Sequence, residues 1–183
     1  MSSLTSWTID PTHTEVGFAV KHLMIATVRG RFADVRGTVQ MDETDPASAQ
    51  VEVAIGVASI HTGNADRDAH LRSPDFFDVD HFPTITFRSR QVESAADGDL
   101  RLLGDLTIRG VSRPVALEVR REGTIQDPWG NRRAGFSAAL RIRRSDFGIT
   151  WNQLIEAGGV AVGDEVRISL EAELIQEGVK QAA

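Results

Sequence analysis

The chain has 183 residues, of which 41% are hydrophobic and 25% are charged, and these values are typical of one globular domain. We therefore predict a single domain over residues 1–183. The formal net charge of -6 and the lack of a basic cluster argue against a nucleic-acid partner. The chain has no cysteine, which excludes disulfides, thiolate metal ligands and a cysteine nucleophile.

The amino terminus, Met1–Ser6, has no basic region and no apolar stretch of the length found in secretory signals. No segment approaches the roughly 20 apolar residues of a membrane-spanning helix. Together these features predict a cytoplasmic protein without an integral membrane segment.

Apolar and polar residues alternate along most of the chain, which is the pattern of β-strands with one buried face. The clearest run has apolar residues at alternate positions and polar residues between them: Val166, Ile168, Leu170, Ala172 and Leu174. We predict strands over residues 6–10, 15–22, 28–41, 50–60, 84–92, 100–109, 111–124, 132–144 and 165–175. About eight strands of this kind favour a closed antiparallel barrel or a strongly curved sandwich.

Residues 61–83 are the one long interruption of this pattern. They begin with a turn-prone stretch at 62–64, continue with helical character over Ala65–Leu71, and end in a stretch that contains Phe76, Phe77 and Phe82. Three buried rings would be a large apolar contribution for a loop. We therefore expect this segment to dock on an apolar surface and to close the barrel. A second irregular segment covers residues 145–164.

The inward-facing positions are mostly Val, Ile, Ala and Leu, and the chain has no Tyr and only eight Phe. An eight-stranded barrel is wide enough to be filled by side chains or to hold one small ligand. The alternation alone therefore leaves two hypotheses open. One is an interaction module with a packed core, and the other is a binding protein with an internal cavity.

Several short motifs occur in order along the chain: Trp7-x-Ile9-Asp10-Pro11-x-His13, Val16-x-Phe18-x-Val20-x-His22, Arg67-Asp68-x-His70-Leu71, Asp75-Phe76-Phe77-Asp78, Phe82-Pro83, the segment from Gly104 to Gly110, Asp146-Phe147-Gly148, and Gly163-Asp164-x-Val166. Together they resemble the YceI-like family over nearly the whole chain. The resemblance implies an all-β, eight-stranded antiparallel lipocalin-like barrel with a short helix-containing loop around residues 61–83. It also implies a long tunnel that binds polyisoprenoids or similar amphiphilic lipids, commonly in a homodimer, and no established catalysis.

On this basis the cavity is favoured over the packed core. We predict a protein that binds, sequesters or carries a long amphiphilic lipid, such as a polyisoprenoid or an isoprenoid quinone precursor, and that needs no other cofactor. The residues predicted to contact this lipid lie on the inward strand faces and in the loop: Phe18, Val20, His22, Phe32, Arg67, His70, Leu71, Phe76, Phe77, Phe82, Phe87, Leu106, Ile108, Phe136, Leu140 and Phe147.

Some of these residues have a second interpretation. Arg67 is predicted to bind a diphosphate or carboxylate head group, or alternatively to form a structural network with Asp68 that holds the loop down. His22 is expected on the inward face, where it would contact the polar end of the ligand. The loop phenylalanines either line the tunnel or anchor the loop to the barrel wall.

The alternative function is an enzyme that acts on an isoprenoid or lipid, with His22, His70 and Asp68 as acid and base. No metal site is predicted, because the histidines and aspartates between residues 61 and 81 lack the spacing of known zinc or calcium motifs. The chain also lacks a Gly-x-Ser-x-Gly elbow and a phosphate-binding glycine loop.

Overall fold

The computed structural model describes residues 4–42 and 44–178 and consists mainly of β-strands. The strands are β1 (Thr5–Ile9), β2 (Glu15–His22), β3 (Ala26–Phe32), β4 (Val35–Asp42), β5 (Asp45–Gly56), β6 (Ile60–His61), β7 (Thr84–Ser94), β8 (Leu100–Ile108), β9 (Val111–Gln126), β10 (Arg132–Arg143), β11 (Leu154–Ile155), β12 (Gly159–Val160) and β13 (Val162–Gln176). Between β6 and β7 lies the helix α1 (Ala65–Arg72). Within the described ranges, no helix has the length and apolar character needed to cross a bilayer.

The long strands close into a barrel, because each pairs antiparallel with its neighbour along the chain and the last returns to the first. β13 pairs with β10 along one edge and with both β1 and β2 along the other. Three barrel strands consist of two pieces each, namely β1 with β2, β3 with β4, and β5 with β6. The predicted eight-stranded antiparallel barrel is thus confirmed. In the described part of the chain, two of the strand pairs are hydrogen-bonded over only part of their length: β5 pairs with β7 over residues 52–56, and β9 pairs with β10 over residues 118–126.

The predicted strand over residues 28–41 is divided in the structure, and the break lies at Ala33 and Asp34. The backbone N–H groups of these two residues donate to the Oγ atom of Ser59, at 3.1 and 3.0 Å. Ser59 belongs to the short 3-10 turn between β5 and β6. The two neighbouring strands are therefore interrupted side by side, and one hydroxyl group satisfies the released backbone donors.

Gly30 serves a packing purpose in β3. It lies opposite Phe18 of β2, and a Cβ atom at Gly30 would be 2.3 Å from Cζ of the Phe18 ring. The missing side chain leaves the space that the ring occupies. The glycine therefore sets the position of an aromatic side chain that lies on the inward face of the barrel.

The predicted helical segment is confirmed as α1, which ends one residue later than expected, at Arg72. The side-chain oxygen of Asn64 caps the helix by accepting from the backbone N–H of Arg67 at 2.9 Å. The buried carboxylate of Asp68 accepts from the backbone N–H of Thr62 at 2.9 Å and from its hydroxyl at 2.5 Å. Asp68 thereby holds the helix against the strand that precedes it.

Residues 61–83, which we call the capping loop, are anchored at the β8–β9 turn. Gly110 has a φ of +71°, and a Cβ atom there would be 2.7 Å from the Phe82 ring. The guanidinium group of Arg109 donates to the carbonyl oxygens of Pro74 at 2.9 Å and Gly148 at 3.0 Å. Phe82 of the capping loop thus packs on the turn, and Arg109 of the turn binds the loop. Together these two contacts fasten the loop to this end of the barrel.

Candidate functional site

Two adjoining cavities lie inside the barrel, with volumes of about 240 and about 200 Å³. We call the first the Trp7 chamber, because Trp7 lines it, and the second the cap chamber, because the capping loop contributes to its wall. The two chambers share the following lining residues: Val51, Val53, Leu102, Leu117, Ala138 and Leu170. We call these shared residues the waist, and the two chambers together the corridor.

The strand alternation seen in the sequence builds the corridor walls. Along β13, the cap chamber begins at Val162 and the Trp7 chamber ends at Leu174. This stretch corresponds to about 40 Å of extended chain, or about 30 Å along the axis of a barrel with strands tilted by about 40°. The interior is therefore long and narrow, which suits an extended chain better than a compact molecule.

The cap chamber is almost entirely apolar. Its walls contain inward residues of the strands, Phe76 and Phe77 from the capping loop, and Phe147 from the 3-10 turn after β10. Among the described residues that line it, Arg144 alone has a charged side chain. The Trp7 chamber is mixed at its far end, where Asp42, Arg121 and Arg132 join the lining.

Most of the residues predicted to contact the ligand line this corridor. Phe136 lines the Trp7 chamber. The cap chamber is lined by Phe18, Val20, Phe32, Leu71, Phe76, Phe77, Phe87, Leu106, Ile108, Leu140 and Phe147. The structure thus brings together residues that are widely separated in the sequence. Their contact with a ligand stays a prediction.

The remaining predicted residues do not line either chamber: His22, Arg67, His70 and Phe82. The expected inward orientation of His22 is wrong, because this residue is exposed at the end of β2. There β2 pairs with Val162, and the register between the two strands shifts before Val166. The simple alternation along β2 therefore no longer decides which way its last residue faces.

Arg67 has partners within its own loop. Its Nε and Nη2 atoms donate to the hydroxyl and carbonyl oxygens of Thr62 at 2.7 and 2.8 Å. Since Asp68 accepts from the same threonine, the two charged residues share a common anchor. This arrangement matches the structural-network interpretation of the Arg67 motif.

The acid and base residues of the alternative, enzymatic hypothesis have separate partners. His70 Nε2 lies 2.8 Å from Asp75 Oδ2, and its ring packs edge-on against Phe76 and Trp151. Asp68 is bonded to Thr62, and His22 is exposed at a strand end. None of these three residues lines the corridor.

A cluster that the sequence did not single out lies on the outer side of the barrel. Asp10, His13 and Glu173 each place one possible metal-ligand atom within 4.8 Å of the others. The Arg133 guanidinium group lies among them and donates to Asp10 at 2.8 Å and to Glu173. Its Nε atom also donates to Asp127 at 2.7 Å. Because a guanidinium group already neutralises these carboxylates, the cluster is a salt-bridge network.

The network shifts the pKa values of its members. Burial alone would raise the pKa of Asp10, but hydrogen bonds from His13, Thr12 and Arg133 lower it well below its usual range. For Asp127, burial is likewise outweighed by hydrogen bonds from Arg133 and Asn131, and the pKa falls to about 2. The pKa of His13 is raised, chiefly by its hydrogen bond to Asp10.

We expect these shifts to make stability depend on pH at both ends of the range. Asp10 and Asp127 have folded pKa values below the unfolded value of about 3.9, so their stabilisation is present above about pH 4 and is lost as the pH falls through the folded values. His13 contributes fully below about pH 6.5, and its contribution is lost as the pH rises through its raised pKa.

Urea unfolding of the wild type and of His13→Gln, at about pH 5.5 and about pH 9, measures the histidine contribution. The variant should lose more stability at the lower pH than at the higher pH. Equal losses at the two pH values would contradict the assigned charge interaction between His13 and its carboxylate neighbours.

Sequence reasoning missed several residues of the corridor that carry polar groups, among them Trp7 and Arg144. Trp7 is 1% exposed and lines the Trp7 chamber, and Arg144 is 7% exposed and lines the cap chamber. A signal for both was present. Trp7 has the same alternation parity as the inward Ile9, and Arg144 continues the inward series of β10 beyond Ile142.

The chain is similar to several known proteins. Residues 7–174 match the pattern of the YceI-like domain family. Protein YceI of Escherichia coli O17:K52:H18 is 44% identical over 137 residues, which cover 75% of this chain and 71% of that protein.

Two solved structures share the fold. BcnA of Burkholderia cenocepacia superposes with a TM-score of 0.79 at 24% identity, over 90% of this chain and 98% of BcnA. A polyisoprenoid binding domain from Saccharophagus degradans superposes with a TM-score of 0.68 at 16% identity, over 93% of this chain and 98% of that domain. With the motifs, the closed barrel and the family match over residues 7–174, the chain belongs to the YceI-like domain family.

Proposed function

We propose that the chain binds a long amphiphilic lipid inside the barrel and sequesters or carries it. The observation that carries this proposal is the corridor, a long apolar interior made of two adjoining chambers. A Saccharophagus degradans domain with the same fold is a polyisoprenoid binding domain. A polyisoprenoid or an isoprenoid quinone precursor is therefore the ligand class that we propose here.

The wall chemistry supports a hydrocarbon ligand. Moving a methylene group from water to an apolar environment is favourable by about 0.8 kcal/mol, so affinity grows with the buried length of the chain. The waist is lined by aliphatic side chains, of which Ala138 is the smallest. Small side chains at this level leave room for a chain that extends from one chamber into the other.

We prefer a binding role over the alternative, an enzyme that acts on a lipid. A general acid or base must lie within hydrogen-bond reach of the reacting atom, and none of the described residues that line the cap chamber has a carboxylate or imidazole side chain. The homodimer and the cytoplasmic location stay predictions from the sequence.

Native mass spectrometry of the freshly purified protein tests this function. We expect a bound adduct with the mass of a long-chain lipid, and lipid extraction followed by mass analysis should identify it. The adduct should disappear after denaturation. A protein that carries no lipid as purified, and that also fails to take up a polyisoprenoid added in detergent, would contradict the proposal.

A further inference from the structure

Arg144 is a buried cation in the wall of an otherwise apolar chamber. Its guanidinium group donates to four backbone carbonyl oxygens: those of Gly163 at 2.8 Å, Trp151 at 2.9 Å, Ile149 at 3.1 Å and Val162 at 3.3 Å. These bonds come from Nε, from Nη1 twice and from Nη2 once. They fix the plane of the group and hold it at the cap chamber.

The hydrogen-bonding capacity of Arg144 is not exhausted by these contacts. A guanidinium group has five N–H donors, and four are used, so one N–H of Nη2 has no acceptor among residues 4–42 and 44–178. The carboxylate of Asp164 attracts the charge of Arg144, but its oxygens accept hydrogen bonds from the backbone N–H and the hydroxyl of Ser145, at 3.0 and 2.8 Å. No carboxylate of the described chain forms a salt bridge with Arg144.

We propose that Arg144 binds the anionic oxygen head group of the lipid, a carboxylate or a phosphate, and that the tail extends through the waist into the Trp7 chamber. This inference rests on the proposed function and adds the orientation of the ligand. An anionic oxygen would accept the remaining N–H and neutralise a charge that burial makes costly.

Two other arginines are weaker candidates for the same role. Arg121 lines the opposite chamber but is exposed, so water already solvates its charge. Arg67 lines neither chamber and is bonded to Thr62. Among these three, Arg144 combines burial, a place in the corridor wall and an unused donor.

The orientation is measurable because the tryptophans mark the two ends of the corridor. Trp7 lines the Trp7 chamber. Trp151 lies at the other end, where its carbonyl oxygen accepts from Arg144 and its ring centroid is 5.3 Å from that of Phe76. The third tryptophan, Trp129, is 80% exposed in the β9–β10 turn.

The experiment uses two double variants and two brominated fatty acids as fluorescence quenchers. Trp129→Phe with Trp151→Phe leaves Trp7 as the reporter, and Trp129→Phe with Trp7→Phe leaves Trp151. We expect α-bromohexadecanoate, which carries bromine beside the head group, to quench Trp151 more than Trp7. The ω-bromo isomer should quench Trp7 more than Trp151. The reverse pattern would place the head group at the Trp7 end and overturn the inference.

The second measurement compares the affinity of the wild type for a lipid with a charged head group and for one with an uncharged head group. It needs no substitution at Arg144. Hexadecanoate should bind at least about tenfold more tightly than its methyl ester, the range expected for a hydrogen bond to a charged group. Equal affinities would overturn the assignment of Arg144 while leaving lipid binding intact. Failure of both ligands and of polyisoprenoids to bind would instead refute the proposed function.

Discussion

Ala138→Phe is expected to weaken the binding of long-chain lipids by at least about 100-fold. Ala138 belongs to the waist, lines both chambers and is 8% exposed. A phenyl ring at this position would occupy the space through which a chain passes from one chamber to the other. If the ring excludes four or more methylene groups from the barrel, the loss is about 3 kcal/mol or more, which is a factor of about 100 or more in the dissociation constant.

The matched control is Ala139→Phe, which places the same ring on the next residue of β10. Ala139 is exposed, because successive residues of a strand point to opposite faces. Isothermal titration with fatty acids of increasing length compares both variants with the wild type. In the wild type and in Ala139→Phe, each added methylene should tighten binding by about fourfold, whereas in Ala138→Phe this gain should stop at a shorter chain.

Unchanged affinity of Ala138→Phe for long chains would show that the ligand does not pass through the waist. An overpacked core also costs stability, so urea unfolding of the variant must accompany the titration. A folded variant that retains binding of short chains and loses that of long chains is the result that supports a continuous corridor.

The barrel and most of its inner wall were predictable from the sequence because both depend on alternation. The inward residues predicted for β13, from Val166 to Leu174, all line the corridor. A strand that packs one face inward must repeat every second residue, so the pattern survives without knowledge of the partners. The docking of the capping loop was predictable for another reason. Its phenylalanine rings are apolar and favour burial, and Phe76 is buried in the structure.

Features that depend on distant partners were not predictable. The break at Ala33 and Asp34 requires a hydroxyl group from Ser59, which lies 25 and 26 residues further along the chain. The exposure of His22 requires the local register shift between β2 and β13. In both cases the deciding contact is made by a residue that the local pattern does not identify.

Arg144 illustrates a different limit. Its position in the β10 series predicts an inward side chain, but a charged residue at the end of a strand is usually solvated. What keeps it inside is a set of carbonyl oxygens from the irregular segment after the strand and from the start of β13, including those of Ile149 and Val162. The alternation along β10 indicates that Arg144 faces inward, but only the folded segment supplies the acceptors that make its burial tolerable.

Phe147→Ala is expected to lower the free energy of unfolding by about 3 to 5 kcal/mol, the usual cost of removing a buried phenyl ring. Phe147 is 2% exposed, belongs to the hydrophobic core and lines the cap chamber. The 3-10 turn that carries it ends at Gly148, whose φ of +73° favours glycine, so the turn holds the ring against the barrel interior. Trp129→Ala is the matched control, since Trp129 is 80% exposed and its loss should change stability by no more than about 0.5 kcal/mol.

The position of Phe147 adds a second expectation to this variant. The space left by its ring would open into the cap chamber, so a bound lipid can occupy part of the volume that the protein itself cannot refill. If the lipid fills this space, it binds folded Phe147→Ala more tightly than the wild type, so saturating lipid should reduce the stability difference between this variant and the wild type and leave the difference for Trp129→Ala unchanged. Urea unfolding with and without the lipid gives both quantities. A loss below about 1 kcal/mol would contradict the assigned packing of Phe147, and a full loss with no recovery under lipid would place the ligand away from the cap chamber.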